Sequence, residues 1–295
     1  MLTFVQAIAL GVLQGVTELF PVSSLGHSVI LPQLLGWTDV VAAQSARESY
    51  FLAFLVGLHV ATSLALLVFF RSTWERIVRA LVASLRTRRM ETPDQRLAWL
   101  LVMATIPAGI TGLLLEHALR VLFAHPLAAA GFLVVNGLVL LFGEWVRRRA
   151  EVRRVVAAHA TNITGDRRLD TLEFREAGAI GIAQAFALLP GISRSGITMV
   201  AGLARGLDHE DAARFSFLLA TPVILAAGVY KLPDLLGPNG DGVRPQILAG
   251  SLAAAIAAYL SVRFLTRWFA TRTLMPFAIY SLIVGLLAVV RFSLG

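Results

Sequence analysis

Long uncharged runs alternate with short polar stretches along this chain. Apolar segments occupy residues 2–19, 23–36, 50–70, 97–116, 126–146, 175–189, 194–206, 213–230, 246–265 and 275–291. A helix needs roughly 20 apolar residues to cross a ~30 Å hydrocarbon layer, and six segments reach that length. Segment 2–19 is borderline, and 23–36, 175–189 and 194–206 are too short. These four form two pairs, each broken by a proline and serines: Pro21, Ser23 and Ser24 in the first, Pro190, Gly191 and Ser193 in the second. The prolines lie 169 residues apart, and the same offset carries Ser24 onto Ser193. Interrupted segments at matching places in two halves point to an inverted-topology repeat with a site near the bilayer midplane.

The expected fold is therefore an all-α integral membrane protein. It should have about ten helices, six spanning plus two re-entrant helical hairpins. One membrane domain fills residues 1–295. Its first repeat covers 1–146, an Arg-rich cytoplasmic linker 147–174, and the second repeat 175–295.

Composition sharpens this picture. Charged residues make up 15% of the chain, well short of the roughly 25% usual in soluble domains. The net charge of +8 sits in short loops beside apolar spans, so lipid headgroups are the expected counter-charge and nucleic acid is not. Cysteine is absent, which excludes disulfides, thiol nucleophiles and thiolate metal sites. No basic residue precedes Arg47, so the N-terminus is expected to be mature sequence, without a cleaved signal. If each short pair enters and leaves on one side, twenty of the 26 basic residues collect on one face. The positive-inside rule makes that face cytoplasmic and puts both termini outside. The expected location is the bacterial inner membrane, as a multi-pass protein. Full crossing by both pairs would leave every loop's side unchanged, so segment length and the breaks carry the re-entrant reading.

Candidate chemistry concentrates at the two breaks. Gln14 and Glu18 are four residues apart and share a helix face, and a carboxylate inside an apolar helix is a functional candidate by default. Pro21 ends that helix. Ser23 and Ser24 can cap the next, and His27 falls one turn into it. At the second break Pro190 and Gly191 free backbone N–H groups, Ser193 can cap a helix starting at Arg194, and Ser195 and Thr198 follow. Arg194 is the one basic residue at membrane depth in this scheme, and its guanidinium is a bidentate phosphate donor. Two opposed helix N-termini plus Arg194 suit a phosphate or diphosphate group. Glu18, with Gln14, could hold a divalent cation. The structural alternatives are a capped break with a buried glutamate, and a plain Arg194–Glu18 salt bridge. His59 and Thr62 read equally as an interhelical bond or as support for the site. Asn136 reads as helix packing. Glu144 is expected to face water or headgroups, and His209 to be a surface group.

The run Gln14, Gly15, Val16, Thr17, Glu18, Pro21, Val22, Ser23, Ser24, Gly26, His27 and the run Pro190, Gly191, Ser193, Arg194, Ser195, Gly196, Thr198 resemble the two signatures of the undecaprenyl-diphosphate phosphatase (bacitracin-resistance) family. Leu58–Thr62 and Ala212–Pro222 resemble further family segments. The resemblance implies hydrolysis of undecaprenyl diphosphate to undecaprenyl phosphate and inorganic phosphate, which recycles the lipid carrier of cell-wall synthesis. It also implies a divalent cation (Mg2+ or Ca2+) held by Glu18 and Gln14, and an outward-facing site. Gln14 stands where the family has the first glutamate of a Glu-x-x-x-Glu pattern whose second is Glu18, and Leu25 where it often has threonine. The resemblance makes Ser24 the preferred nucleophile and His27 the preferred acid/base. Glu18 and Arg194 complete the catalytic set, and Ser23, Ser193, Ser195, Thr198 and Gly191 bind substrate. An attacking water polarised by Glu18 or His27 is the competing mechanism. The expected partners are the polyprenyl diphosphate lipid and the membrane, and a homodimer is a candidate assembly. The rival function is a transporter or flippase of polyprenyl phosphate, since broken inverted repeats also build transporters.

Overall fold

The computed structural model describes residues 2–45, 50–123, 125–161, 169–231, 233, 237 and 242–294. Arg47 and positions 162–168 of the expected linker lie outside the described residues. Among those described, every regular element is helical. The first half contains α1 (Phe4–Thr17), α2 (Ser24–Leu34), α3 (Thr38–Ser45), α4 (Tyr50–Phe69), α5 (Arg71–Thr87), α6 (Pro93–Phe123) and α7 (Pro126–Thr161). The second contains α8 (Phe174–Ala185), α9 (Arg194–Ala204), α10 (His209–Tyr230), α11 (Arg244–Phe269) and α12 (Met275–Ser293). Six of these are long and apolar enough to cross a membrane: α4, α6, α7, α10, α11 and α12. They are the six segments whose length predicted it.

Among the described residues, two helices exceed the expected ten. α3 and α5 fill stretches that the apolar pattern leaves as connections. α5 carries Arg71, Arg76, Arg79 and Arg86 on its exposed side and buries Thr73, Ile77 and Ser84. That amphipathic pattern is invisible to a search for uniformly apolar runs. The expected linker also begins as helix, because α7 continues past its membrane window to Thr161.

Each hairpin starts with the same device. At α1, Thr3 and Gln6 exchange side-chain-to-backbone bonds of 3.2 and 2.9 Å. At α8, Glu173 and Glu176 do the same. These capping boxes satisfy N–H groups that a helix start would leave bare. With 14 and 12 residues, α1 and α8 are about 21 and 18 Å long. Neither reaches across the bilayer. α1 folds back on α2 and α8 on α9.

The halves then exchange their hairpins. α1 lies along α11 of the second half, and α8 lies along α6 of the first. The contact pairs α1–α11 and α8–α6 are equivalent under an inverted repeat, while α7 with α12 and α4 with α10 pair across the pseudo-twofold. Small residues allow the close approach. A Cβ on Gly11 would sit 2.2 Å from the Gly250 carbonyl oxygen, and one on Gly181 would sit 2.5 Å from that of Ala104. Lipid is as apolar as leucine, so such close packing is what drives membrane helices together. The outer surface is correspondingly apolar: Leu248, Leu252, Ile256 and Leu260, one per turn of α11, are exposed.

Glu144 and His209 depart from their expected places. Glu144 is buried. Its Oε1 accepts a 2.6 Å bond from the Leu274 N–H and lies 2.8 Å from His209 Nε2. The carboxylate ties α7 to the starts of α10 and α12, where helix N-termini favour negative charge.

The Gly11 contact predicts a sharp asymmetry between two glycines. Gly11→Val forces α1 off α11, and overpacking of this kind destabilises by about 1–3 kcal/mol or more. The thermal midpoint in detergent is expected to fall by several degrees. Gly109→Ala, whose Cβ would meet nothing within 4 Å, is expected to leave it unchanged.

Candidate active site

α1 ends at Thr17, and the Leu19 and Phe20 N–H groups both turn back to the Val16 carbonyl, at 3.3 and 3.1 Å. Pro21 has no N–H to continue the helix. Ser23 follows at φ 68°, a left-handed conformation that an L residue holds only where its surroundings enforce it. The enforcement is visible. Its Oγ accepts from the Gly26 N–H at 3.3 Å and from the Gly191 N–H at 3.1 Å. The second bond reaches from one hairpin to the other.

The second break is built in parallel. A 3-10 turn over Phe186–Leu188 closes α8, and Gly191 takes φ 108°. A Cβ there would lie 2.3 Å from the Ala129 carbonyl oxygen, so this position requires glycine twice over. Ser193 then caps α9, its Oγ accepting from the Gly196 N–H at 3.1 Å. Gly26 and Gly191 meet where the breaks cross: a Cβ on Gly26 would come 2.8 Å from Gly191 Cα.

Glu18 sits at this crossing, 7% exposed. Its Oε1 accepts from Arg194 Nη2 at 3.0 Å. Its Oε2 accepts from Ser24 Oγ at 2.5 Å and from Gln14 Nε2 at 3.1 Å. His59 Nε2 stands 3.5 Å from the same oxygen, while its Nδ1 bonds the Leu55 carbonyl at 2.8 Å. A buried carboxylate is tolerable only with such compensation. The arginine comes from the opposite half, 176 residues away in sequence.

The other expected residues divide. Ser23, Ser24, Ser193, Ser195, Thr198 and Gly191 all gather at the crossing. Ser195 Oγ lies 3.0 Å from Ser193 Oγ and donates to the Phe20 carbonyl at 3.4 Å. Thr198 Oγ1 donates to the Arg194 carbonyl at 2.8 Å and lies 2.6 Å from Ser216 Oγ. These two hydroxyls brace the backbone that carries Arg194. His27 turns aside. Its Nδ1 lies 2.7 Å from the Ser23 carbonyl, its Nε2 2.9 Å from the Tyr280 hydroxyl, and its ring stacks on Tyr280. The hydrogen-bond partner of the Ser24 hydroxyl is Glu18, and the His27 ring bonds the Ser23 carbonyl and Tyr280.

Three residues at the crossing were not identified from sequence as part of the site. Asn136 donates to the Pro21 carbonyl at 2.9 Å and accepts from the Ser193 N–H at 2.9 Å. Tyr280 holds His27, and Ser216 holds Thr198 and accepts Arg194 Nη1 at its carbonyl, 3.4 Å away. The signal for Asn136 was present as a lone amide in the apolar run of α7. Tyrosine and serine in a span carry no comparable signal.

Comparison with known proteins identifies relatives of this chain. Residues 7–287 match the family model for the bacitracin resistance protein BacA. The chain is 57% identical to undecaprenyl-diphosphatase 2 of Frankia alni, covering 100% of this chain and 99% of that protein. It is 56% identical to an undecaprenyl-diphosphatase of Mycolicibacterium paratuberculosis, over 96% and 95% of the two chains. A Granulibacter bethesdensis undecaprenyl-diphosphatase is 46% identical, over 96% and 94%.

The pair expected to hold a divalent cation is Glu18 with Gln14. Both Glu18 oxygens already accept hydrogen bonds, and a guanidinium stands 3.0 Å away. Gln14 spends its amide N–H on the same carboxylate and leaves Oε1 as a buried acceptor without a partner. Among the described residues no three His, Asp or Glu side chains cluster as ligands. One neutralised carboxylate and one amide oxygen do not fit a resident divalent ion, which favours several oxygen ligands of net negative charge. A resident ion at about a hundred times its Kd would add about 2.7 kcal/mol and raise the thermal midpoint by several degrees. Chelator-treated protein given Mg2+ or Ca2+ without lipid is expected to show no such rise in a detergent melting scan.

Proposed function

The chain belongs to the bacitracin resistance protein BacA family, and we propose that the crossing of its two breaks is where it hydrolyses undecaprenyl diphosphate to undecaprenyl phosphate and inorganic phosphate. The protein is a membrane-embedded hydrolase of the lipid carrier for cell-wall synthesis. The carrying observation is the chain of contacts from Ser24 through Glu18 to Arg194, at 2.5 and 3.0 Å.

The roles follow from charge. Without substrate, Arg194 and Glu18 neutralise each other. A diphosphate offers Arg194 more negative charge and a planar pair of acceptors. The guanidinium moves to the phosphate, and the Glu18 carboxylate loses a donor and gains basicity toward Ser24. Ser24 Oγ attacks the terminal phosphorus, its proton passing to Glu18. The new Oγ–P bond replaces the P–O bond to the lipid monophosphate, which departs with the proton that Glu18 received and leaves the carboxylate ionised. Water then cleaves the phosphoserine with Glu18 as base, restoring Ser24 and releasing inorganic phosphate. Arg194 and the first N–H groups of α2 and α9 stabilise the charge on the transferring oxygens. Tyr280 and the Ser23 carbonyl hold His27 at the edge, where it orients the break. No step requires a cation fixed between Glu18 and Gln14.

The basic residues supply the orientation. We place the arginine-rich face in the cytoplasm, both termini outside, and the mouth of the site toward the outer side of the cell membrane. Broken inverted repeats also suit a flippase, but transport alone gives no reason to set a serine 2.5 Å from a buried carboxylate.

Purified protein in detergent is expected to release inorganic phosphate from undecaprenyl diphosphate. Ser24→Ala should reduce kcat by at least about a thousandfold with an unchanged melting curve. Arg194→Lys keeps the charge but loses the fork, and should raise KM as well as lower kcat. Full activity in Ser24→Ala would transfer the attack to water. Lipid movement in vesicles without phosphate release would support the flippase.

A further inference from the structure

Asn136 lies in the middle of α7, on neither hairpin, and is fully buried. Its amide nevertheless bonds both breaks at once. Nδ2 donates to the Pro21 carbonyl at 2.9 Å and to Ser281 Oγ at 3.2 Å, and Oδ1 accepts from the Ser193 N–H at 2.9 Å. Pro21 stands three residues from both Glu18 and Ser24, and Ser193 immediately precedes Arg194. A side-chain amide offers a donor and an acceptor on one rigid plane. It can therefore link a carbonyl orphaned by one helix break to an N–H at the cap of the other. Aliphatic side chains can do neither.

We infer that Asn136 is a positioning residue for the reaction: it sets the separation between the break that carries Ser24 and Glu18 and the break that carries Arg194. It touches no substrate. The Ser23 Oγ bond to the Gly191 N–H is a second stitch across the same seam. Two stitches from different elements fix both spacing and angle, where one would leave a hinge. Phosphoryl transfer is sensitive to such spacing, because a displacement of about 1 Å can lower rate by about a hundredfold.

The inference rests on the phosphatase reading and makes a separate demand on the kinetics. Asn136→Leu keeps the volume close and removes all three bonds. Among molecules that elute and melt as folded protein, kcat is expected to fall by about ten- to a hundredfold. KM for the lipid diphosphate should stay within about threefold, because no substrate contact is lost. Asn136→Asp keeps the acceptor for the Ser193 N–H and sets an oxygen against the Pro21 carbonyl. It is expected to lose kcat to a similar degree, and it serves if the leucine variant does not fold. Ser281→Ala removes only the bond to α12 and should retain kcat within about twofold. An active wild type whose folded Asn136 variants match it in kcat sinks the positioning role. So does an equal loss in Ser281→Ala, which would trace the effect to α7–α12 packing. An inactive wild type sinks the phosphatase reading itself.

Discussion

A single buried ion pair governs this molecule. Glu18 and Arg194 arrive from opposite halves of the chain, each at the break of a helical hairpin. Neither charge could stay ionised in hydrocarbon alone. Their meeting requires both helices to break at the same depth, and the broken ends then need new partners for their backbone groups. Ser23, Ser193 and Asn136 supply those partners. The hydroxyl caps and the amide are consequences of placing one ion pair where two helix breaks meet.

The helix packing serves the same constraint. α1 must reach Arg194 from the first half, and it does so by lying on α11 through Gly11 and Gly15, where backbones nearly touch. The second hairpin mirrors this on α6 through Gly181. α7 and α12, paired across the pseudo-twofold, form the wall against which both breaks are fastened. Along α7, Asn136 fastens the breaks and Glu144, two turns further on, fastens the starts of α10 and α12. One helix face thus connects the reacting groups to the frame of the protein.

The arrangement also bears on the proposed action of a buried carboxylate on a serine. In the absence of diphosphate its oxygens accept from Arg194, Ser24 and Gln14. On the proposed mechanism substrate would compete for the arginine and leave the bond from Ser24 in place. The carboxylate is thus met by the protein's own donors. The glutamine at position 14 accordingly acts as a donor to Glu18.

The sequence by itself determined the membrane class, the six spans, the two breaks and their matched spacing, and the residue types at the centre. Those features follow from local physics: apolar length against bilayer thickness, proline without a donor, serine as a helix cap. It also placed Glu18, Ser24 and Arg194 together, because an inverted repeat brings matching breaks to one depth. Amphipathic α5 escaped because its apolar residues are spaced around a helix instead of running together. What only the tertiary structure decided is which polar group faces which. His27 lies three residues from Ser24 along the chain and Glu18 six, yet the helix turn sends the imidazole to Tyr280 and leaves the carboxylate on the hydroxyl. Asn136 and Glu144 gained their roles from elements far away in sequence. Hydrogen-bond geometry acts over about 3 Å, and no spacing along a chain specifies distances of that size between separate helices.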